Sequence, residues 1–314
     1  MSAANEPRSR SGVGVPASER VGGSGGAKPP GLMIDSHQHF WIYDQGQYGW
    51  IDESMRALQR DFLPVDAARD MAAAGVQATV AVQARQTPEE TRWLLELADR
   101  HPIIAGVVGW VDLQAVGVEQ ELERISHHPR LAGIRHIVQG EPDGFLERPA
   151  FRRGIAALNR YGLTYDILVY ARQLPAAVAF ARDFPNQPFV LDHLGKPDIR
   201  GGEYREWRRH LGELAALPNV CCKLSGLVTE ADWRAWTPAQ LAPYLDAALE
   251  SFGPSRLMIG SDWPVCRVAA SYGDVIGLVR DAISEYSADE QEQILEGTAR
   301  TFFRLKAEAT NREE

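Results

Sequence analysis

Cysteine is scarce in this 314-residue chain. Cys221, Cys222 and Cys266 show no ligand-pair spacing, and the adjacent pair would point to opposite faces of a strand. Neither a thiolate metal site nor a disulfide frame is indicated, and a reduced, cytoplasmic compartment is expected. No apolar run approaches the roughly 20 residues that a membrane-spanning helix needs. The body has no basic cluster and the formal net charge is -9, which argues against nucleic acid as a partner. No hydrophobic segment follows the arginines near the start, so a secretory leader is not expected. A Gly-rich dinucleotide fingerprint is also missing after the first strand-like run, which disfavours an open doubly wound sheet.

Residues 1–31 are rich in Gly, Ser, Pro and Arg, with almost nothing large and apolar, and are expected to form a disordered tail. Glu6 and Glu19 interrupt its basic character and weaken a reading as an organelle transit peptide. Residues 32–306 are expected to form one domain, and 307–314 a short polar C-terminal tail. With 45% hydrophobic and 24% charged residues, the chain can bury one large core.

From Met33 onward, apolar runs alternate with helical patterns. Strands are expected over Met33–Phe40, Ala78–Ala84, Ile103–Trp110, Leu131–Val138, Leu163–Tyr170, Pro188–Leu194, Asn219–Val228 and Arg256–Gly260. Between them lie helix patterns with recognisable starts and stops. Val65, Ala68 and Ala72 make one stripe. Thr87-Pro88-Glu89-Glu90 opens another helix with a cap, a first-position proline and a Glu90 placed to close a capping box. Ser287 and Glu290 cap a last amphipathic helix carrying Ile294, Leu295, Phe302 and Leu305. Eight such strand–helix units predict an α/β fold, a single-domain (β/α)8 TIM barrel, whose active site lies at the carboxyl ends of the strands.

The polar residues fall at those ends. His37 and His39, two apart at the tip of the first strand, share a side and can hold a divalent metal or grip an oxyanion. Barrel closure sets strand eight beside strand one, so Asp262 should stand against this pair, as a metal ligand or as a base on a water. His193 approaches from strand six. Arg135 and Lys223 offer positive charge to a carboxylate or a developing oxyanion. His136 and Asp166 are further substrate-binding candidates, each able to lie on the outward face of its strand instead. The aromatic loop after the first strand, with Trp41, Tyr43 and Trp50, together with Trp110 and Trp263, could wall a pocket and stack on a sugar face.

Five motifs carry a resemblance over Met33 to Leu305: Asp35-Ser36-His37-Gln38-His39-Phe40-Trp41, Gly133-Ile134-Arg135-His136, Leu191-Asp192-His193-Leu194-Gly195-Lys196-Pro197, Lys223-Leu224-Ser225-Gly226 and Gly260-Ser261-Asp262-Trp263-Pro264. Together they resemble the amidohydrolase superfamily, in particular its branch of sugar-acid lactonases acting on L-fucono- and L-rhamnonolactones. The resemblance implies a barrel hydrolase that opens a lactone with water. His37, His39, His193 and Arg135 would line the site, with Asp262 as general base. Lys223, His136, Trp41 and Asp166 would contact substrate. The bridging, carboxylated strand-four lysine of binuclear members is missing, so at most one divalent ion is expected on His37, His39 and Asp262. Zinc is the first choice, and metal-independent catalysis is the alternative. Two other readings stand beside this one: a metal-dependent decarboxylase on the same barrel, and a non-catalytic barrel that binds a sugar acid.

Overall fold

The computed structural model describes residues 32–306, and the two expected tails lie outside the described residues. The strands are β1 (Ile34–Gln38), β2 (Ala78–Val82), β3 (Ile104–Gly109), β4 (Leu131–His136), β5 (Thr164–Ile167), β6 (Phe189–Leu191), β7 (Val220–Leu224) and β8 (Leu257–Ile259). They run in chain order around one sheet, and each neighbouring pair is parallel. Just beyond the strand ends the seam is closed. The Asp262 N–H donates to the His37 carbonyl at 2.9 Å, and the His39 N–H to the Trp263 carbonyl at 2.7 Å. This is the expected (β/α)8 barrel. Pro64, Pro88, Pro149 and Pro238 each open a helix, where a missing N–H leaves no bond unmade. Among the described residues no helix is long and apolar enough to cross a membrane.

The strands are buried on both faces, as a parallel sheet requires. Inside the barrel Ile34, Val80, Val82, Val108, Val190 and Met258 form a small apolar cluster, with Phe303 and Leu305 packed into it. The expected last helix is therefore broken into short pieces. Its capping box forms, but a π turn at Gln293–Gly297 interrupts it, and its end delivers Phe303 and Leu305 to the barrel interior. The larger core lies outside, between sheet and helices. The stripe on Pro64–Ala74 is not the expected one: Ala67 and Met71 are buried, whereas Val65 is 72% exposed.

Strict alternation from Ile34, which faces the barrel interior, would turn His37 outward with Asp35. The register between β1 and β2 slips between Asp35 and Gln38, three residues of β1 matching two of β2. That bulge reverses the parity, so Asp35 bonds outward to Tyr272 at 3.0 Å while His37 faces Arg135 and Lys223 inside.

Thr87 does cap the Pro88–Arg100 helix, its hydroxyl accepting from the Glu90 N–H at 3.2 Å. Glu90 does not complete the capping box. It is buried, and its Oε2 accepts instead from the N–H groups of Ala84 at 3.0 Å and Arg85 at 2.6 Å, beyond the end of β2. Tyr48 and Arg85 flank it, at 3.5 Å each, so the aromatic loop after β1 is fastened to this carboxyl. Burial is the main cause that pushes Glu90 up to about 7. The folded protein thus holds this proton up to about pH 7, whereas the unfolded side chain releases it near its ordinary 4.5. The stabilisation is complete below the unfolded value and is lost as pH rises through the folded one. Two to three pKa units correspond to about 3 kcal/mol. Glu90→Gln keeps one oxygen for both N–H groups and removes the titration. Melting temperature should therefore fall less between pH 5 and pH 8 in the variant than in the parent, and equal slopes would contradict this.

Candidate active site

The site rests on a layer of charge inside the barrel, above its apolar cluster. Asp192, just past β6, is fully buried. Its Oδ2 accepts from Arg135 Nη1 at 2.9 Å, and its Oδ1 lies 2.9 Å from Lys223 Nζ and 3.3 Å from His37 Nδ1. Lys223 also reaches Asp166 at 2.5 Å. Arg135 also bonds Gln83, its Oε1 from Nε at 3.0 Å and its backbone carbonyl from Nη2, and Arg135 Nη1 lies 3.2 Å from His37 Nε2. Burial alone would raise Asp192, but Lys223, His37 and Arg135 outweigh it and hold its carboxyl well below the usual range. Burial pushes Asp166 up to about 6, despite Lys223. His37 is kept neutral, first by burial and then by the Lys223 ammonium.

Above this layer Asp262 Oδ1 stands 3.3 Å from His39 Nε2, 3.8 Å from His37 Nε2 and 3.9 Å from His193 Nε2. One carboxylate oxygen thus faces three imidazoles, and all four side chains are nearly or fully buried. His39 Nδ1 lies 2.8 Å from the Val82 carbonyl, which places its proton there and leaves Nε2 with a free lone pair. His37 Nε2 and His39 Nε2 are 3.2 Å apart. Two imidazole nitrogens and a carboxylate oxygen that converge in this way suit a divalent metal ion.

Local backbone strain aims these groups. Among the described residues five non-glycine residues have positive φ, and His193 (53°), Leu194 (55°), Lys196 (49°) and Asp262 (56°) are four of them. That region is costly for a side-chain-bearing residue and collects at functional sites. His193 Nδ1 lies 2.9 Å from Ser225 Oγ. Gly226, at φ 69°, clears the ring, since a Cβ there would come within 2.6 Å of His193 Cγ and Nδ1. Burial, ahead of the opposing pull of Asp262, pushes His193 down to about 4. For Asp262 burial acts upward, but His193 and the contacts to His39 and His37 hold it below the usual range. At neutral pH Asp262 is therefore ionised, while His37 and His193 are neutral.

His39, His193, Arg135 and Asp262 open onto a cavity of about 390 Å³. Of the expected site residues, His37 lies just beneath it, within the same cluster. Lys223 and Asp166 do not reach the cavity; both are fully buried and paired with each other in the layer below. His136 follows Arg135 on the strand and so faces outward. It bonds Glu141 at 2.8 Å, takes the Trp110 N–H at 3.2 Å and stacks on Phe145. Trp41 is buried under the loop, edge-on to Phe62 and donating to the Arg60 carbonyl at 2.9 Å. Of the expected aromatics, Trp50 does line the cavity. Sequence reasoning missed Asp192, Gln83, Tyr170, Lys196, Glu230 and Trp233. Asp192 and Lys196 stood inside a quoted motif, and only their neighbour His193 drew attention.

The strand ends of this barrel thus gather three imidazoles, a carboxylate and a guanidinium around one cavity. The chain belongs to the amidohydrolase family, whose sequence profile matches residues 34–305. It is 47% identical over 295 residues to an L-fucono-1,5-lactonase of Burkholderia multivorans, covering 90% of this chain and 99% of that protein. A second L-fucono-1,5-lactonase, from Burkholderia ambifaria, is 42% identical over 77% of this chain and 84% of its own. The crystal structure of an amidohydrolase from Burkholderia multivorans with bound zinc superposes with a TM-score of 0.85 at 45% identity, covering 88% of this chain and all of the other.

Two measurements check this geometry. In histidine-labelled protein, the His193 ring should titrate near pH 4, and a midpoint near its ordinary 6.5 would contradict the burial described. Gly226→Ala adds both a strained φ and a collision with that ring. Chemical denaturation should show a loss of more than ~1 kcal/mol, and an unchanged midpoint would contradict the close approach.

Proposed function

We propose that this protein hydrolyses a sugar-acid lactone, adding water to the lactone carbonyl and releasing the open-chain hydroxy acid. The observation that carries the reading is Asp262 Oδ1 at the focus of His37, His39 and His193, beside a cavity large enough for a sugar lactone. The strong similarity to two proteins named L-fucono-1,5-lactonase supports an L-fucono-1,5-lactone or a close relative as substrate.

A lactone is an activated ester, so its opening needs a positioned water, a base and donors for the carbonyl oxygen. Asp262, ionised at neutral pH, takes a proton from the water as it bonds to the carbonyl carbon. The ester C–O bond then breaks, and the proton passes to the departing ring oxygen. The Ser225 hydroxyl, donating to His193 Nδ1, leaves the His193 proton on Nε2, where it faces the developing oxyanion. Arg135, clamped by Asp192 and Gln83, adds fixed positive charge beneath the reacting carbonyl, where preorganised donors are worth most. A divalent ion, zinc by preference, would be held by His37, His39 and Asp262, and when bound would supply Lewis acidity to the carbonyl and the attacking water.

A decarboxylase on the same barrel has less support, because two curated relatives more than 40% identical to this chain carry the lactonase name. A binding-only barrel has no use for a carboxylate aimed into three imidazoles. All three cysteines are unpaired, which supports the reducing, cytoplasmic location.

Asp262→Asn preserves size and removes the base. On a lactone that the parent opens, kcat should fall by about two to four powers of ten with the fold intact. Near-parental turnover would make Asp262 structural and sink the mechanism. Elemental analysis of purified protein should find at most one divalent ion per chain, and two tightly held ions would overturn the assignment of a single ligand set.

A further inference from the structure

Two charged residues of the cavity wall take no part in that chemistry. Lys196 Nζ pairs with Glu230 Oε1 at 3.0 Å, and each side chain keeps only 15% and 16% exposure. Both line the catalytic cavity with Asp262. With Tyr170 they also line a neighbouring depression of about 520 Å³, so the pair forms a partition between two spaces and is not part of the barrel packing. Lys196 Nζ lies 5.2 Å from the centre of the Tyr170 ring. The Lys196 backbone is in the left-handed region and its N–H donates to the His193 carbonyl at 2.8 Å, so its position is tied to the catalytic turn.

A shielded surface pair is a weak stabiliser, and this one sits where a polyol would meet it. An ammonium offers donors only and a carboxylate acceptors only. Side by side, they match an adjacent pair of sugar hydroxyls, which can accept from one and donate to the other. Trp50, Tyr170 and Trp233 add apolar faces around the same cavity, as the less polar faces of a sugar ring require.

The geometry points to Lys196 and Glu230 as the specificity-determining pair that holds the hydroxyls of the lactone, across the cavity from the carbonyl attacked next to Asp262. This assignment rests on the lactone hydrolase reading. It explains why the Gly195-Lys196-Pro197 turn is built on strain: one short segment sets the imidazole and the hydroxyl-binding cation together.

The test uses Lys196→Met, Glu230→Gln and the double variant, assayed on a polyhydroxylated aldono-1,5-lactone and on its deoxygenated counterparts down to δ-valerolactone. Counterparts that turn over too slowly are read as competitive inhibitors. Each single variant should raise KM for the hydroxylated lactone about 10- to 100-fold, the scale of a lost hydrogen bond to a charged group, with kcat changed far less. The double variant should lose less than the product of the two, and affinity for δ-valerolactone should stay within about threefold. Equal losses on hydroxylated and unsubstituted lactones, or an unchanged KM, would overturn the assignment. Thermal melts separate a loss through unfolding, which would weaken both substrates alike. If the parent opens none of these lactones, the hydrolase reading itself fails, and that result precedes any variant.

Discussion

The Asp192 carboxylate is the contact on which the top of the barrel depends. It is buried, and it neutralises Arg135 from β4 and Lys223 from β7 while touching His37 from β1. Asp166 from β5 shares the lysine. Two carboxylates thus balance two cations inside the barrel, and burial first, then the Lys223 ammonium, keeps His37 neutral. Removing one partner of a buried pair typically costs about 3–5 kcal/mol, since the other charge is left in a medium that cannot solvate it. The network is therefore a constraint on geometry more than a source of stability. Five strand ends are pinned to one another through it, and His39, His193 and Asp262 stand on that platform.

The interior is layered accordingly. Aliphatic side chains and the ends of Phe303 and Leu305 fill the lower barrel, the ion network fills the middle, and the imidazoles and Asp262 occupy the upper rim. The uppermost groups are aimed by backbone that no unstrained strand would adopt, in the left-handed residues at 193–196 and at Asp262. Rigidity below and strain above place one carboxylate oxygen within 3.9 Å of three imidazoles.

Much of this was legible in the sequence because parallel-barrel strands are short apolar runs with polar residues at one end. The strand order, the meeting of Asp262 with His37 and His39, and the convergence of His193 and Arg135 all follow from that pattern and from closure. What was hidden depends on departures from regular geometry. The bulge in β1 sets which way His37 points, and no residue type announces it. The left-handed turn lets consecutive Asp192 and His193 both serve the site, where alternation would have kept only one. Lys223 and Asp166 looked like substrate ligands because sequence shows charge but not depth, and their heads find each other below the cavity floor. Trp41 and His136 were misplaced for a related reason: an aromatic or imidazole near a strand end packs as well behind the rim as in front of it. Glu90 shows the same limit at a helix start, since the acceptor at the third position found two strand-end N–H groups closer to hand than its own cap.

Whether this barrel opens sugar-acid lactones decides its function. Acid release from a panel of aldono-1,5- and aldono-1,4-lactones, followed by pH-stat with the unmodified protein, measures that directly. Hydrolysis of at least one polyhydroxylated lactone with kcat/KM in the ordinary enzymatic range, about 10⁴ M⁻¹s⁻¹ or above, is the predicted result. A folded protein that releases no acid above background from any of them would contradict it.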